Sequence, residues 1–155
     1  MQLSKNLSLG EVTKSTTAIR LGISNMPNEV ELNALKAIAT EIFQPIREHF
    51  GKPIFVSSGF RSENLNRAIG GSSQSQHCKG QALDLDMDGR DGPTNREVFD
   101  YIRKNLDFDQ LIWEFGDDFN PNWVHVSYDK SGNRKNILVA YKDKDGYTRY
   151  KPYGR

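Results

Sequence analysis

No apolar stretch in this chain approaches the ~20 residues that a membrane-spanning helix needs, so the sequence does not read as a helical membrane protein and no membrane insertion is expected. Cysteine is nearly absent: Cys78 stands alone, cannot form an intrachain disulfide, and marks no oxidising compartment. Charge of one sign is also missing. Twenty-one basic against 20 acidic side chains leave a net charge of +1, which argues against a dedicated nucleic-acid binder. The first ten residues lack an apolar core and a small-residue cleavage site, so no signal peptide is read and synthesis in the cytoplasm is expected. Internal repeats and low-complexity segments are absent. What remains is 155 residues, 36% hydrophobic, enough for one domain that buries roughly two-thirds of its unfolded surface.

The elements read as follows. Leu7 to Val12 is a short amphipathic turn, and the Ser/Thr-rich stretch 13–17 is polar. Asn28 caps a helix, with Glu31 three residues on, and apolar positions from Val30 to Ile46 form one wide face running through about His49. Gly51 and Pro53 stop it. Pro53 to Ser58 is a strand, Ser62 to Ile69 a short helix closed by Gly70 and Gly71, and Ala82 to Met87 alternates with a period of two. Thr94 to Leu106 is a second long helix. Strand-like segments follow at 108–115, 123–128 and 137–141, which pair as a meander. The fold class is α+β: a single domain over residues 1–155, with a mostly antiparallel sheet and helices packed on one face.

With only three histidines, each is informative. His77 and Asp84 are seven apart, too far to meet on a helix, where that spacing covers ~10 Å. A loop turned at Gly80 and running into a strand brings them together. His125 sits between two valines in Trp123-Val-His-Val-Ser127. A lone strand histidine of this kind is more often a core residue, and His77 alone reads equally as a loop residue. Taken jointly, with the small Ala82 beside the carboxylate, they form a set of two imidazoles and one carboxylate. That set leaves a fourth position for water, the usual form of a catalytic zinc site.

Ser57-Ser-Gly-Phe-Arg-Ser62, then Ser75-x-His77-x-x-Gly80-x-Ala82-x-Asp84, then Trp123-Val-His125-Val, in that order, resemble the zinc D-Ala-D-Ala carboxypeptidase / L-Ala-D-Glu endopeptidase family. The family includes VanY-like enzymes and many phage endolysins, and Leu7 to Thr13 and Thr17 to Asn25 look like its phage-encoded members. The resemblance spans about residues 5 to 140. It implies the hedgehog/DD-peptidase type of fold and Zn2+ held by His77, Asp84 and His125. It further implies a substrate-contacting Arg61, able to stabilise an oxyanion or hold a carboxylate. Ser75 either hydrogen-bonds substrate, orients His77, or simply caps its loop.

The general base departs from the pattern. Several relatives carry a glutamate or histidine three residues before the last ligand, where this chain has Asn122. Glu114, at the end of the preceding strand, is the candidate if the two strands form a hairpin. Asp109 and Gln110 are weaker, and Asp117 and Asp118 read as loop residues. Asp84-x-Asp86-x-Asp88-Gly89 also opens like a calcium loop, but the position for the bidentate glutamate is Asn95 and the match fails there.

Other features are assigned structural roles. His49 serves its helix terminus, Cys78 is a small buried side chain, and Trp113 and Trp123 line a cleft or pack the core. The basic and aromatic tail 142–155 is a solvated edge hairpin around Asp145-Gly146. The expected protein is a monomeric zinc peptidase acting on peptidoglycan stem peptides, as a phage endolysin released through a holin-type pore or as a virion component. Two rivals stay open: a D,D-carboxypeptidase on the same site, and a non-enzymatic zinc-containing wall-binding or virion module.

Overall fold

A computed structural model describes residues 1–154 of the chain. The elements in order are β1 (Gln2–Ser4), β2 (Leu7–Ser8), α1 (Leu9–Thr13), α2 (Thr16–Leu21) and α3 (Glu29–Ile38). A π-helical stretch over Ala39–Phe43 joins α3 to α4 (Gln44–Phe50), followed by β3 (Val56–Ser58) and α5 (Glu63–Ala68). A 3₁₀ turn over Gln76–Lys79 leads into β4 (Ala82–Leu85), then α6 (Asn95–Asn105), β5 (Gln110–Glu114), β6 (Trp123–Ser127), β7 (Asn136–Lys142) and β8 (Thr148–Pro152).

Asn28 and Thr94 cap their helices with reciprocal capping boxes through Glu31 and Glu97. The expected helix through His49 is one helical run, but it widens at 39–43, where the wider turn accommodates Pro45 at the start of α4. The 13–17 stretch is not wholly irregular. Ser15 caps α2, a six-residue helix that buries only Ala18 and is too short to carry a periodic apolar signal. The strand expected over 53–58 is reduced to Val56–Ser58, with Phe55 before it still accepting from the Asp86 N–H at 3.1 Å.

The main sheet runs β3-β4-β6-β5-β7-β8. Four of its five pairings are antiparallel, and β5–β7 is parallel. The expected meander therefore breaks after the β5–β6 hairpin: the chain passes the start of β5 and adds β7 on its far side. Arg134 fastens that crossing, donating from its backbone N–H, Nε and Nη2 to the Asp109 carboxylate at 3.1, 2.9 and 2.9 Å. The β7–β8 hairpin turns at Asp145-Gly146 as expected, with Gly146 at φ +83°. Arg155 at the end of the basic tail lies outside the described residues.

Alternation along the strands divides the sheet into two faces. Leu83, Leu85, Leu111, Trp113, Val124 and Val126 face the helices and join one core with residues of α3, α4 and α6. Phe99 meets Trp113 edge-on at 5.2 Å, a packing contact that places this tryptophan in the core. Asp84, Ile112, Glu114, Trp123 and His125 occupy the opposite face. The helices thus cover one side of the sheet and leave the other for chemistry.

Candidate metal centre

Register places the first two members. Asp84 on β4 pairs with His125 on β6, so both side chains leave the same face as neighbours. The Asp84 Oδ1 lies 3.1 Å from His125 Nδ1. His77 arrives from the 3₁₀ turn. Ser75 caps that turn through its hydroxyl, which accepts from the His77 N–H at 3.2 Å. Gly80 ends it at φ +72°, and a Cβ there would lie 2.5 Å from the Glu31 carbonyl oxygen, so only glycine fits.

The His77 ring is fully buried, and its Nδ1–H donates to the Gly59 carbonyl at 2.7 Å. That bond keeps a proton on Nδ1 and turns Nε2 towards Asp84, 3.4 Å away. The two imidazoles meet edge-to-face at 5.2 Å. One donor atom from each of His77, Asp84 and His125 lies within 4.8 Å of the other two. Two imidazole nitrogens and a carboxylate are the donor set of a borderline divalent ion, so the residues present fit a metal.

The electrostatics agree. Burial pushes the Asp84 carboxyl up, but the charge of His77 and hydrogen bonds from both imidazoles more than offset it and hold it well below the usual carboxylate range. The carboxylate therefore stays ionised and ready to ligate. Glu114 behaves in the opposite way. Burial raises its pKa to about 7, with Asp84 adding to the rise and His125 opposing it. Its register partner is Trp123, which makes it the diagonal neighbour of His125 on the same face. Both Glu114 and the three donors line one cleft of about 860 Å³.

Arg61 reaches this cleft from the turn after β3. Its Nη2 donates to the Ser75 hydroxyl at 3.3 Å, and its buried Nε has no partner among the described residues. Ser75 thus caps the turn, one of the alternatives expected for it, and in addition holds Arg61. Trp123 walls the cleft against Phe115, with ring centroids 5.5 Å apart. Asn122 is exposed and has the opposite strand parity to His125. Its backbone is engaged, the N–H with the Glu114 carbonyl and the carbonyl with Asn95.

Asp109 is committed elsewhere. Chiefly through the hydrogen bonds from Arg134, against the opposing effect of burial, its carboxyl is lowered to about 2. It also accepts from Gln76 Nε2 at 2.9 Å, tying the His77 turn to the start of β5. Gln110 lines the cleft without a side-chain bond among the described residues. Asp117 caps the turn to Phe119 and Asn120, and Asp118 is exposed. Cys78 is half-buried at the edge of the 3₁₀ turn, not enclosed as expected. His49, in the last turn of α4, is exposed and stacks on Tyr101 at 4.1 Å.

Three positioning groups escaped the reading of motifs. Gly59 supplies the carbonyl that orients His77; a Cβ there would lie 2.5 Å from the Val12 carbonyl oxygen. The buried Asn25 side chain accepts from the Ser62 N–H and donates to the Thr13 and Phe60 carbonyls, holding the Arg61 turn. Asn95, buried, puts its Nδ2 among four oxygens: Asp86 Oδ1 at 3.2 Å, Asp88 Oδ1 at 3.4 Å, Pro121 O at 3.2 Å and Asn122 O at 3.0 Å. The centre of the calcium-like loop is thus filled by an amide of the protein itself.

No helix among the described residues is long and apolar enough to cross a membrane. No curated protein sequence matches the chain. The family model described as peptidase M15 matches residues 5–127, a span that contains His77, Asp84, Glu114 and His125. With that span covering most of the chain and His77, Asp84 and His125 gathered on one cleft floor, the chain belongs to the peptidase M15 family and is a metallopeptidase.

Proposed function

We propose that the protein is a zinc-dependent endopeptidase of peptidoglycan stem peptides, of the L-Ala-D-Glu type found among phage endolysins. The observation that carries this reading is the convergence of His77 Nε2, an Asp84 oxygen and His125 Nδ1 on the floor of an open cleft, with Glu114 buried alongside. His77, Asp84 and His125 would hold the zinc, which when bound would supply Lewis acidity to a water and to the peptide carbonyl.

The protein's own groups do the rest. Glu114, whose pKa of about 7 keeps a substantial fraction ionised at neutral pH, takes the proton of the attacking water on a carboxylate oxygen. It returns that proton to the departing amine nitrogen. Arg61 presents its guanidinium to the oxygen on which negative charge collects, and Ser75 keeps it in place. Gly59 prevents rotation of His77 by engaging its Nδ1–H. The enzyme works as a monomer, reaching the wall after release through a holin-type pore or as part of a virion.

The test is a muropeptide digest by zinc-loaded protein, with and without chelator, read by mass spectrometry. New amino termini at D-Glu, abolished by chelator, are expected. Loss of a single terminal alanine would replace the endopeptidase with a D,D-carboxypeptidase, and wall binding with no peptide released would leave only a binding module. In the same assay Glu114→Gln lowers turnover by ~10²-fold or more with zinc content unchanged. Undiminished turnover would remove Glu114 from the mechanism.

A further inference from the structure

The β7–β8 hairpin lies wholly beyond residue 127, where the family match ends. Its second strand buries no side chain, so packing does not account for it. Alternate residues do have a common destination: Leu138, Lys142, Thr148 and Tyr150 wall the cleft that holds the metal centre. Glu114, Ala140 and Tyr150 are successive register partners across β5, β7 and β8. Ala140, fully buried, stands between Glu114 and Tyr150 with only a methyl group.

Lys142 gives this wall its chemistry. Its Nζ donates to Thr148 Oγ1 at 2.7 Å and lies 5.3 Å from the Phe115 ring centroid. Two nearby arginines are matched, Arg134 by Asp109 and Arg149 by Asp143. Lys142 has no carboxylate within ion-pair distance among the described residues. Beside it, the Tyr150 phenol keeps its proton, since burial and the charges of Glu114 and Asp84 raise its pKa. An oriented, uncompensated ammonium next to a phenol donor is an arrangement that receives an anion.

We propose that Lys142, Thr148 and Tyr150 form a subsite for a carboxylate carried by the substrate peptide, at a distance from the bond being cut. Three strand spacings separate His125 from Tyr150, ~14 Å at ~4.8 Å each, or about four residues of extended peptide at ~3.4 Å per residue. The subsite therefore selects the peptide by a free carboxylate several residues from the scissile bond.

The inference rests on the peptidase reading above, and the experiment separates the two. Zinc-loaded protein is given a pair of stem peptides, identical except that the distal carboxylate is free in one and amidated in the other. Wild type is expected to favour the free acid by about fivefold in kcat/KM, the size of a partly exposed ion pair, with the difference carried by KM. Lys142→Met should collapse that ratio towards one. Lys151→Met, on the opposite face of the same hairpin beside Tyr141, should preserve it. Cleavage by wild type with the same ratio in Lys142→Met, or with no ratio at all, overturns the subsite and leaves the peptidase standing. Cleavage of neither peptide overturns the peptidase reading, and the substrate subsite with it.

Discussion

Metal-free protein should lose stability as pH rises through neutrality, and Glu114 is the cause. Its carboxyl is buried and titrates near 7 in the fold, against an ordinary value of 4.5. Between those values the folded state binds a proton that the unfolded state releases, so stability falls as pH rises. Below 4.5 both states are protonated and the contribution is complete. Above 7 it is gone. The gap corresponds to about 3 kcal/mol, roughly 6–12 °C in Tm for a domain of this size. The assay is thermal unfolding of chelator-treated protein at intervals from pH 4.5 to 8.5, with Glu114→Gln beside it. Subtracting the variant isolates the residue from every other titration. A wild-type curve that declines towards high pH while the variant stays flat is expected. Saturating zinc should shrink the decline, because a nearby dication favours the carboxylate. Parallel curves for the two proteins from pH 5 to 8 would refute the assignment of a buried, proton-holding Glu114.

Other perturbations test other parts of the molecule. Asn95→Asp replaces a donor by an oxygen facing four oxygens; it should cost roughly 3–5 kcal/mol, partly restored by millimolar calcium, and a Tm indifferent to both the substitution and calcium would refute the filled-loop reading. Asp109, held at about 2 by Arg134, contributes stability present above its unfolded value near 3.8 and lost as pH falls to 2. Asp109→Asn should remove about 2 kcal/mol of acid sensitivity, and identical acid denaturation profiles would count against the brace. Gly59→Ala sets a Cβ 2.5 Å from backbone oxygen of Val12, shifting the carbonyl that orients His77. Zinc affinity by chelator competition should fall ~10- to 100-fold, and unchanged affinity would mean that the bond does not tune the ligand.

Periodicity and caps were enough to locate α6 and the long helical run, because both carry capping boxes and a continuous apolar face. They missed α2 and the 3₁₀ turn, which are too short for a period to register and are held by Ser15 and Ser75 caps within polar sequence. The parallel β5–β7 pair was illegible for a different reason. Strand order is decided by where the crossing segment is fastened, and the fastening is a long-range ion pair between Asp109 and Arg134 with no local signature.

The three side chains that gather into a possible metal site were readable because their spacing around Gly80 and the Trp-Val-His-Val strand left a pattern in the chain. What supports them left none. The acceptor that keeps a proton on His77 Nδ1 is a main-chain carbonyl, and any residue has one; only the steric demand for glycine at 59, set by Val12 forty-seven positions earlier, hints at it. Asn95 goes further, since its position in the acidic loop suggested a failed calcium site. The same amide satisfies Asp86 and Asp88 and clamps the Pro121 and Asn122 carbonyls just before β6. A neutral donor there does the work a cation would do, without the charge that a loop so close to Asp84 would otherwise have to balance. The loop is therefore closed to a second ion by construction, and the acidic run that resembles a metal site serves to anchor the strand that carries His125.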